Sequence, residues 1–556
     1  MTERIHIGIA WPYANGPLHL GHIAGAYLPA DIFARYHRLK GNDVLMVSGS
    51  DEHGAPITIR AEKESTSPQE IVTKYHRQFL DCWQKLGISF DLFTTTDTEN
   101  HAAVTQDIFL TLLNKGYLYR DKMLQAYCPQ CHRSLPDRYV EGVCPYCGFP
   151  EARGDECEEC GKPLNPAELK NARCYICGAS PEFKESEHFF LRLSAFQERL
   201  EEWVKGKSHW RPNVLGVTWK FLDEGLRDRA ITRDIDWGIT VPYPGFENKR
   251  IYVWFEAVIG YLSATKEWAR LRGDDTAWRP YWQGECKNYN FLGKDNIFFH
   301  TVIWPAILMG YGGLNLPYDV PANEFLNIAG GKLSTRRNRA IWLPDYLERY
   351  DPDPLRYVLS IGMPETKDSD FSWDVFVHRN NDELVATYGN LAHRVLTFTQ
   401  HHFNGTIPAS SELDEQSQGL LKKAEITLDS VDRALYNCSF REAIRYAMAL
   451  AREANRYLDS QSPWKTIKED TEAAANSVYT VLAVLSVLKT VLYPFLPFSS
   501  EKLHTLLGFE GSVKESGWKF QMPLPGKKLC QPQPLFVKLD ESIIEQENNR
   551  LGGLSS

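Results

Sequence analysis

The hydrophobic pattern at the start of the chain predicts strands alternating with helices. Residues 4–10 alternate in the way of a strand, and a segment dense in turn formers follows at 11–17. A helical spacing of apolar residues runs from Ile23 to Tyr36, and a second buried strand is predicted at 44–47. Strand, turn, helix and strand in this order indicate the opening of a parallel α/β sheet.

The same pattern breaks off and then resumes, which indicates an insertion into the sheet. Residues from about 118 to 236 are rich in turn formers and paired cysteines. Strand character returns at 250–254 and again at 289–292, where the strand ends at Gly293. A helix with apolar residues from Ile297 to Ile307 follows. We therefore expect a sheet split into two halves.

After about residue 381 the pattern changes to helix after helix. Residues 443–458 keep one face apolar, as a packed helix does. The most apolar stretch, 478–488, is too short to cross a bilayer and is expected to form a buried helix. The predicted fold class is an α/β Rossmann-type parallel sheet with an insertion, followed by an α-helical bundle. The predicted segments are 1–117 and 237–329 for the two sheet halves, 118–236 for the insertion, 330–380 for a loop region, and 381–556 for the bundle and tail.

Composition and charge restrict the class of protein. The 556 residues are 43% hydrophobic and 24% charged, as in a folded globular protein, and the net charge is −9. An acidic chain is not expected to coat nucleic acid non-specifically, although it can bind RNA locally. No basic segment followed by an apolar one opens the sequence, so we expect a cytoplasmic protein without a membrane partner.

Eight of the twelve cysteines form four C-x-x-C pairs, which is the spacing of metal ligands. Each pair can supply two thiolates, and tetrahedral Zn²⁺ takes four. Four pairs therefore predict two structural zinc sites, and the spacing alone allows three groupings. The pairs are Cys128/Cys131, Cys144/Cys147, Cys157/Cys160 and Cys174/Cys177.

His19 and His22 flank Gly21 where the first strand turns into a helix. A helix start offers free N–H groups and the positive end of the helix dipole, both of which suit phosphate. Two imidazoles can add donors to the charge that builds on a transferring phosphate. Two solvated histidines at a helix cap are the simpler alternative for this motif on its own.

The surroundings of these histidines resemble a known family. The run from Pro12 to His22 is similar to the HIGH signature of class I aminoacyl-tRNA synthetases in its methionyl form. The run 330–336 stands where the second signature, KMSKS, is expected, and 233–242 resembles the segment that ends the insertion in this class. The similarity covers nearly the whole chain in order.

The resemblance implies an enzyme that joins methionine to tRNA(Met) with ATP, through methionyl-adenylate. His19, His22 and Lys332 would be catalytic, and Mg²⁺ would accompany ATP. The second signature departs from the family because Thr335 replaces a lysine and Arg336 a serine, so a degenerate loop in a weak RNA-binding paralogue remains an alternative. The implied ATP-binding residues are His19, Gly21, His22, Gly293, Asp295, Lys332, Thr335 and Arg336.

The resemblance also implies the remaining sites. Asp51 would pair the α-ammonium of methionine, and the other implied methionine-binding residues are Trp11, Tyr13, Trp254, Ala257, Tyr261 and His300. The family favours nested zinc sites, with 144/147/157/160 on one ion and 128/131/174/177 on the other. Asn390, Arg394 and Trp464 would read the anticodon. A synthetase for another amino acid is a further alternative, but the short insertion leaves little room for an editing domain. We expect a monomer.

Overall fold

The computed structural model describes residues 2–154, 157, 159–160, 162, 164–328, 331–332, 340–410 and 412–553. The chain begins with three strands of the central sheet and the helices between them. Their bounds are β1 Arg4–Ile9, α1 Leu20–His22, α2 Leu28–Leu39, β2 Asp43–Ser50, α3 Ala55–Glu64, α4 Pro68–Leu86, β3 Leu92–Thr95 and α5 Glu99–Asn114, with a π-helical turn Ile23–Tyr27 between α1 and α2.

A mostly antiparallel region follows α5. Its elements are β4 Leu118–Cys128, β5 Arg133–Leu135, β6 Val140–Val143, β7 Ala152–Arg153, β8 Lys170–Cys174, β9 Glu182–Leu191, α6 Gln197–Lys205, α7 Pro212–Asp223, β10 Arg229–Ala230, β11 Thr232–Arg233 and β12 Arg250–Ile251. One small sheet has the order β10–β9–β4–β5, and a second, which carries cysteine pairs, has the order β7–β6–β8.

The chain then returns to the central sheet. The elements are α8 Val253–Leu271, α9 Arg279–Trp282, β13 Lys287–Gly293, a π-helical segment Phe299–Ile303, α10 Trp304–Tyr311, β14 Ala322–Asn323, β15 Leu326–Ile328, β16 Gly331–Lys332, α11 Leu343–Leu347, α12 Pro352–Ile361 and β17 Ser369–Phe371. The strands β14–β13–β1–β2–β3 pair in this order, all parallel. This confirms the predicted Rossmann-type sheet.

The rest of the described chain is helical, as predicted. The bounds are α13 Trp373–His378, a π-helical segment Arg379–Gly389, α14 Asn390–His402, α15 Glu415–Tyr436, α16 Phe440–Gln461, α17 Pro463–Thr466, α18 Thr471–Leu492, α19 Pro497–Leu506, α20 Val513–Ser516 and α21 Ser542–Gly553. Among the described residues, α18 is the one helix long and apolar enough to cross a membrane. Because 94% of its apolar window is buried inside the protein, the expectation of a core helix is confirmed.

One expectation from the sequence was wrong. Residues 250–254 were predicted as a strand, but β12 ends at Ile251 and α8 begins at Val253. The aromatic and β-branched residues there favour a strand locally. The helix is nevertheless formed because residues 254, 257 and 261 share one of its faces and pack against the ends of the central strands.

Candidate active site

The site lies where β1 and β2 end side by side at the carboxyl edge of the sheet. Beyond the last strand residues, the backbone of Pro12 accepts from Asp51 N (2.8 Å) and the backbone of Asp51 accepts from Ala14 N (2.9 Å). These bonds place Tyr13 directly beside Asp51. The carboxyl edge of a parallel sheet is where such folds bind ligands.

The backbone fixes the protonation of both histidines of the first signature. His19 is the N-cap of α1, and its Nδ1 accepts from Gly21 N at 3.1 Å. Nδ1 of His22 accepts from His19 N, also at 3.1 Å. The rings stack with their centroids 3.8 Å apart. Burial lowers the pKa of His22 to about 4, and burial together with His22 lowers that of His19. Both rings are therefore neutral and carry their proton on Nε2, ready to donate.

Of the second signature, only residues 331 and 332 are described. Gly331 and Lys332 form β16, whose backbone pairs with Asn327 and Ile328 of β15. Thr335 and Arg336, together with the side chain of Lys332, lie outside the described residues. Where the chain resumes, Leu20 N donates to Ile341 O at 3.2 Å and Leu343 N to Leu18 O at 2.8 Å. The exit of this segment is thus bound to the first signature.

Gly293 and Asp295 stand at the end of β13, next to β1. The Asp295 carboxylate folds back on Gly293, where an added Cβ would lie 2.7 Å from Asp295 Oδ1. Between them, Lys294 donates to Glu324 Oε2 (2.8 Å) and to Asp368 Oδ1 (2.7 Å). This lysine is therefore engaged in ion pairs, whereas Asp295 is exposed at the strand end.

An aromatic wall stands next to Asp51. Trp254 Nε1 donates to Tyr13 Oη at 3.0 Å, and Ala257 is half-buried one turn further along α8. His300 Nδ1 lies 2.8 Å from Asn296 O and donates to it, so His300 Nε2 accepts a hydrogen bond from the Tyr261 hydroxyl at 2.6 Å. Burial lowers the pKa of His300 to about 4, so the ring is neutral. The structure brings the predicted methionine set together.

Trp11 fits behind this wall because two glycines make room for it. A Cβ on Gly49 would lie 2.4 Å from the Trp11 ring, and one on Gly260 would lie 2.7 Å from it. A Cβ does not approach other heavy atoms so closely, so a side chain at either position would displace the Trp11 ring. Trp11 is half-buried between β2 and α8, and it forms part of the packing that supports the pocket.

Asp51 is a buried carboxylate with little compensation. Its side chain is hidden, and burial, with a smaller effect of Glu256, raises the pKa of Asp51 well above its usual range. Within the part of the chain that the structure describes, it accepts a single long hydrogen bond, 3.4 Å from His53 N. A cationic group placed against this buried carboxyl would favour its ionised form, so the position suits a site for a cationic group.

Sequence reasoning missed the charged residues that surround Asp51. His53 Nδ1 lies 2.9 Å from Glu256 Oε1 and its Nε2 lies 3.7 Å from Asp97 Oδ1. His101 lies behind Glu256, at 4.0 Å. The run Asp51–Glu52–His53–Gly54 was a possible signal, but Asp97, His101 and Glu256 lie on other elements and have no pattern of their own.

The eight paired cysteines form two clusters in the described residues. One holds Cys128, Cys131, Cys174 and Cys177, and the other Cys144, Cys147, Cys157 and Cys160. This is the nested grouping that the resemblance implied. Sulfur–sulfur distances are 3.4 and 4.0 Å in the first cluster and 3.9 and 3.5 Å in the second. Four sulfurs at about 2.3 Å from a central Zn²⁺ would be about 3.8 Å apart, so both clusters fit a tetrahedral metal ion.

The cysteine region packs on α3, the helix that begins just after His53. Ala55 and Ile59 of α3 contact its apolar core. Tyr139 Oη donates to Thr58 Oγ1 at 2.7 Å, and Arg133 pairs with Glu62 at 2.6 Å. The region that carries the cysteine clusters thus supports the helix that follows the Asp51 segment.

In the bundle, Asn390 and Arg394 lie on α14 and Trp464 on α17. The Arg394 guanidinium lies 4.9 Å from the centre of the Trp464 ring and pairs with Asp459 at 2.8 Å. Trp464 is 38% exposed, which is unusual for tryptophan in a packed bundle. A cavity of about 370 Å³ opens beside Arg394 and Trp464 and extends to Phe398 and His402. Asn390 is exposed one turn away.

A parallel sheet with paired histidines at a strand–helix turn, an inserted region and a helical bundle is the organisation of class I aminoacyl-tRNA synthetases. The family model described as "tRNA synthetases class I (M)" matches residues 5–396, and "Anticodon binding domain of methionyl tRNA ligase" matches 407–556. The chain belongs to the methionine–tRNA ligase family.

Individual relatives agree over the whole length. A methionine–tRNA ligase of Dehalococcoides mccartyi (strain CBDB1) is 60% identical over 552 residues, covering 99% of this chain and 100% of the relative. One from Thermomicrobium roseum is 50% identical, with 99% of each chain covered. The structure of Mycobacterium tuberculosis methionyl-tRNA synthetase in complex with methionyl-adenylate matches with a TM-score of 0.81 and 25% identity, covering 96% of this chain and 100% of that one.

Proposed function

We propose that this chain activates methionine with ATP to methionyl-adenylate and then transfers methionine to tRNA(Met). The observation that carries the proposal is the buried carboxylate of Asp51 beside Tyr13 of the aromatic wall, together with the two neutral histidines that follow β1. The methionine carboxylate would attack the α-phosphate in line and pyrophosphate would leave. Such a reaction needs positioning and charge rather than a covalent nucleophile.

The ATP side would be formed by both signatures. Nε2–H of His19 and of His22 would donate to phosphate oxygens, and Gly21 would let the nucleotide approach the backbone. Lys332, Thr335 and Arg336 would lie at the phosphates, and Gly293 and Asp295 near the ribose and adenine. Mg²⁺ would accompany ATP as its counter-ion at the phosphates.

Asp51 would pair the α-ammonium, and Tyr13, Trp254, Ala257, Tyr261 and His300 would enclose the thioether, with Trp11 behind them. Aromatic rings give a polarizable sulfur favourable contacts. Neutral His300 accepts from Tyr261 and leaves no unpaired charge facing the side chain. This lining supports methionine over the branched amino acids, which lack the sulfur.

Asn390, Arg394 and Trp464 would read the anticodon in the bundle. Single-stranded RNA is recognised by stacking unstacked bases on aromatic rings and by hydrogen bonds to their edges. The exposed Trp464 ring, the adjoining guanidinium and the cavity beside them offer both. The cysteine clusters would hold two zinc ions, whose chemistry is structural: four thiolates fill the coordination sphere and leave no position for a substrate.

We also propose that the enzyme works as a monomer in the cytoplasm. The long apolar helix α18 is enclosed within the bundle, which supports the absence of a membrane partner. Light scattering of the purified chain should give the mass of a single chain, and twice that mass would contradict the monomer.

The full reaction is tested by charging. Purified chain, ATP, methionine and a tRNA with a CAU anticodon should yield methionyl-tRNA, and the same tRNA with one anticodon base changed should be a poor substrate. A chain that binds the tRNA but forms no ester would instead be the RNA-binding paralogue. A chain that charges another tRNA with another amino acid would be a different synthetase.

A further inference from the structure

A cluster of charged side chains is buried between the end of β2 and the first turn of α8. His53 is 4% exposed and Glu256 is fully buried, with His53 Nδ1 2.9 Å from Glu256 Oε1. On its other side, His53 Nε2 lies 3.7 Å from Asp97 Oδ1. His53 follows Asp51 by two residues, and Glu256 lies between Trp254 and Ala257. The cluster therefore lies next to the proposed methionine pocket.

Three buried carboxylates crowd this region, and they differ in how they are compensated. Glu52 accepts from the Ser50 hydroxyl at 2.8 Å, and Glu256 is paired with His53. Asp51 has only its long contact to His53 N among the described residues. Like charges close together in a protein interior disfavour each other's ionised form. The charge of Glu256 adds to the effect of burial on Asp51, so the partner that Glu256 has influences how easily Asp51 ionises.

His53 is the positive charge of the cluster. Burial alone would lower its pKa, but Glu256 and Asp97 outweigh burial and raise the pKa of His53 to about 10. The neighbouring His101 is different, because burial and the charge of His53 lower its pKa to about 3. The rings of Trp237 and His53 meet edge to face, with their centroids 5.8 Å apart. Trp237 Nε1 donates to Glu52 O at 2.6 Å and so holds the backbone next to His53 in place.

We propose that His53 is a positioning residue for the amino-acid substrate: its imidazolium neutralises Glu256 and thereby leaves Asp51 as the carboxylate that pairs the substrate ammonium. This inference rests on the proposed function. Without His53, the uncompensated charge of Glu256 would add to the effect of burial and raise the pKa of Asp51 further. Without Glu256, the freed imidazolium would turn to Asp51 and compete with the ammonium. Both effects are avoided when His53 and Glu256 are either both charged or both replaced by neutral side chains.

A double-mutant cycle tests this with the full-length protein. His53→Gln and Glu256→Gln should each raise the KM for methionine in ATP–pyrophosphate exchange by roughly tenfold or more, because a buried charge loses its partner. The KM for ATP and kcat should change little. The variant with both substitutions should recover most of the methionine KM, because two neutral amides can hydrogen-bond each other and Asp51 is again unopposed.

A merely structural role would instead lower the thermal stability of the variants and change the KM for ATP and kcat together with the methionine KM. His6→Gln is the matched control: His6 is also buried and contacts the same helix, with Nε2 2.9 Å from Thr265 Oγ1. Its methionine KM should stay unchanged. Thermal unfolding of each variant checks folding. If His53→Gln does not fold, the comparison of Glu256→Gln with the double variant still decides, because the methionine KM must be lower in the double variant.

The outcomes separate this inference from the proposed function. No methionine-dependent exchange by the unsubstituted chain would defeat the proposed function itself. Two results would overturn the role of His53 and leave the proposed function intact. One is a double variant whose methionine KM is no lower than that of either single variant. The other is an unchanged methionine KM in His53→Gln.

Discussion

At the scale of single residues, the site depends on groups whose protonation the fold determines. His19 and His22 each accept a backbone N–H on Nδ1, so the proton that can be donated stands on Nε2 of both rings. Asp51 differs from the two histidines because its buried side chain offers acceptor oxygens rather than a donor. The sequence indicated all three residues. The compensating pair, His53 and Glu256, could not be predicted because it forms across 203 positions of the chain.

Asp51→Asn tests the acceptor. The amide keeps the shape but loses the charge that pairs the ammonium, so methionine binding should weaken by about 1.5–3 kcal/mol. In exchange assays this is about a 10- to 150-fold higher KM for methionine, with the KM for ATP nearly constant. A parallel rise in both KM values would mean that Asp51 supports the whole site rather than the substrate amine.

The altered second signature gives a prediction for Arg336. If Lys332 and the arginines after Thr335 replace the missing lysine, Arg336→Ala should raise the activation free energy of adenylate formation by about 2–4 kcal/mol. The reason is that the charge is needed as pyrophosphate leaves. Methionine binding should change less. Thr335→Lys should be neutral or mildly activating. Single-turnover kinetics measure the rate of adenylate formation in both variants. If Arg336→Ala leaves this rate unchanged and Thr335→Lys raises it by orders of magnitude, the loop is degenerate.

At the scale of elements, local sequence predicted β1, β2 and β13 because each is a short apolar run followed by turn formers, but it did not predict β3 or β14. It failed at 250–254, where aromatic residues favour a strand but the chain forms the start of α8. Tertiary contacts decide that segment: the helix places Trp254 against Tyr13 and Glu256 against His53. Such contacts with distant residues are not visible in a window of neighbouring ones.

The cysteine clusters predict two separate metal sites. Metal analysis of the purified chain should find two zinc ions, each contributing on the order of 10 kcal/mol to local folding. Cys131→Ser should remove one ion and Cys147→Ser the other, whereas Cys530→Ser, at an exposed lone cysteine, should remove none. Loss of both ions from either single substitution, or one ion in the unsubstituted chain, would contradict two independent sites.

Trp464 on α17 gives the prediction for the bundle. Trp464→Ala should weaken aminoacylation of tRNA by about 1–3 kcal/mol, the value of one base stack, and leave methionine activation unchanged. Tyr446→Ala is a matched control, since Tyr446 is 39% exposed on the neighbouring α16 and Trp464 is 38% exposed. Equal losses in charging and activation would make Trp464 a core residue rather than an RNA contact.

At the scale of the whole molecule, a buried ion pair joins the catalytic sheet to the bundle. Arg356 Nη2 lies 2.6 Å from Asp31 Oδ2 of α2, and the same guanidinium donates to Pro494 O and Phe495 O beyond α18. Both side chains are fully buried. The order of the two domains was evident from hydrophobic patterns, but this junction was not, because three distant segments meet in it.

The central claim is that the whole molecule activates methionine, and ATP–pyrophosphate exchange with single amino acids measures that directly. Methionine should support exchange with a kcat/KM at least about tenfold above leucine, isoleucine, valine or cysteine, since one misplaced group in an apolar pocket costs about 1–3 kcal/mol. Faster exchange with any of these four, or no exchange with methionine in fully folded, zinc-loaded protein, would contradict the account.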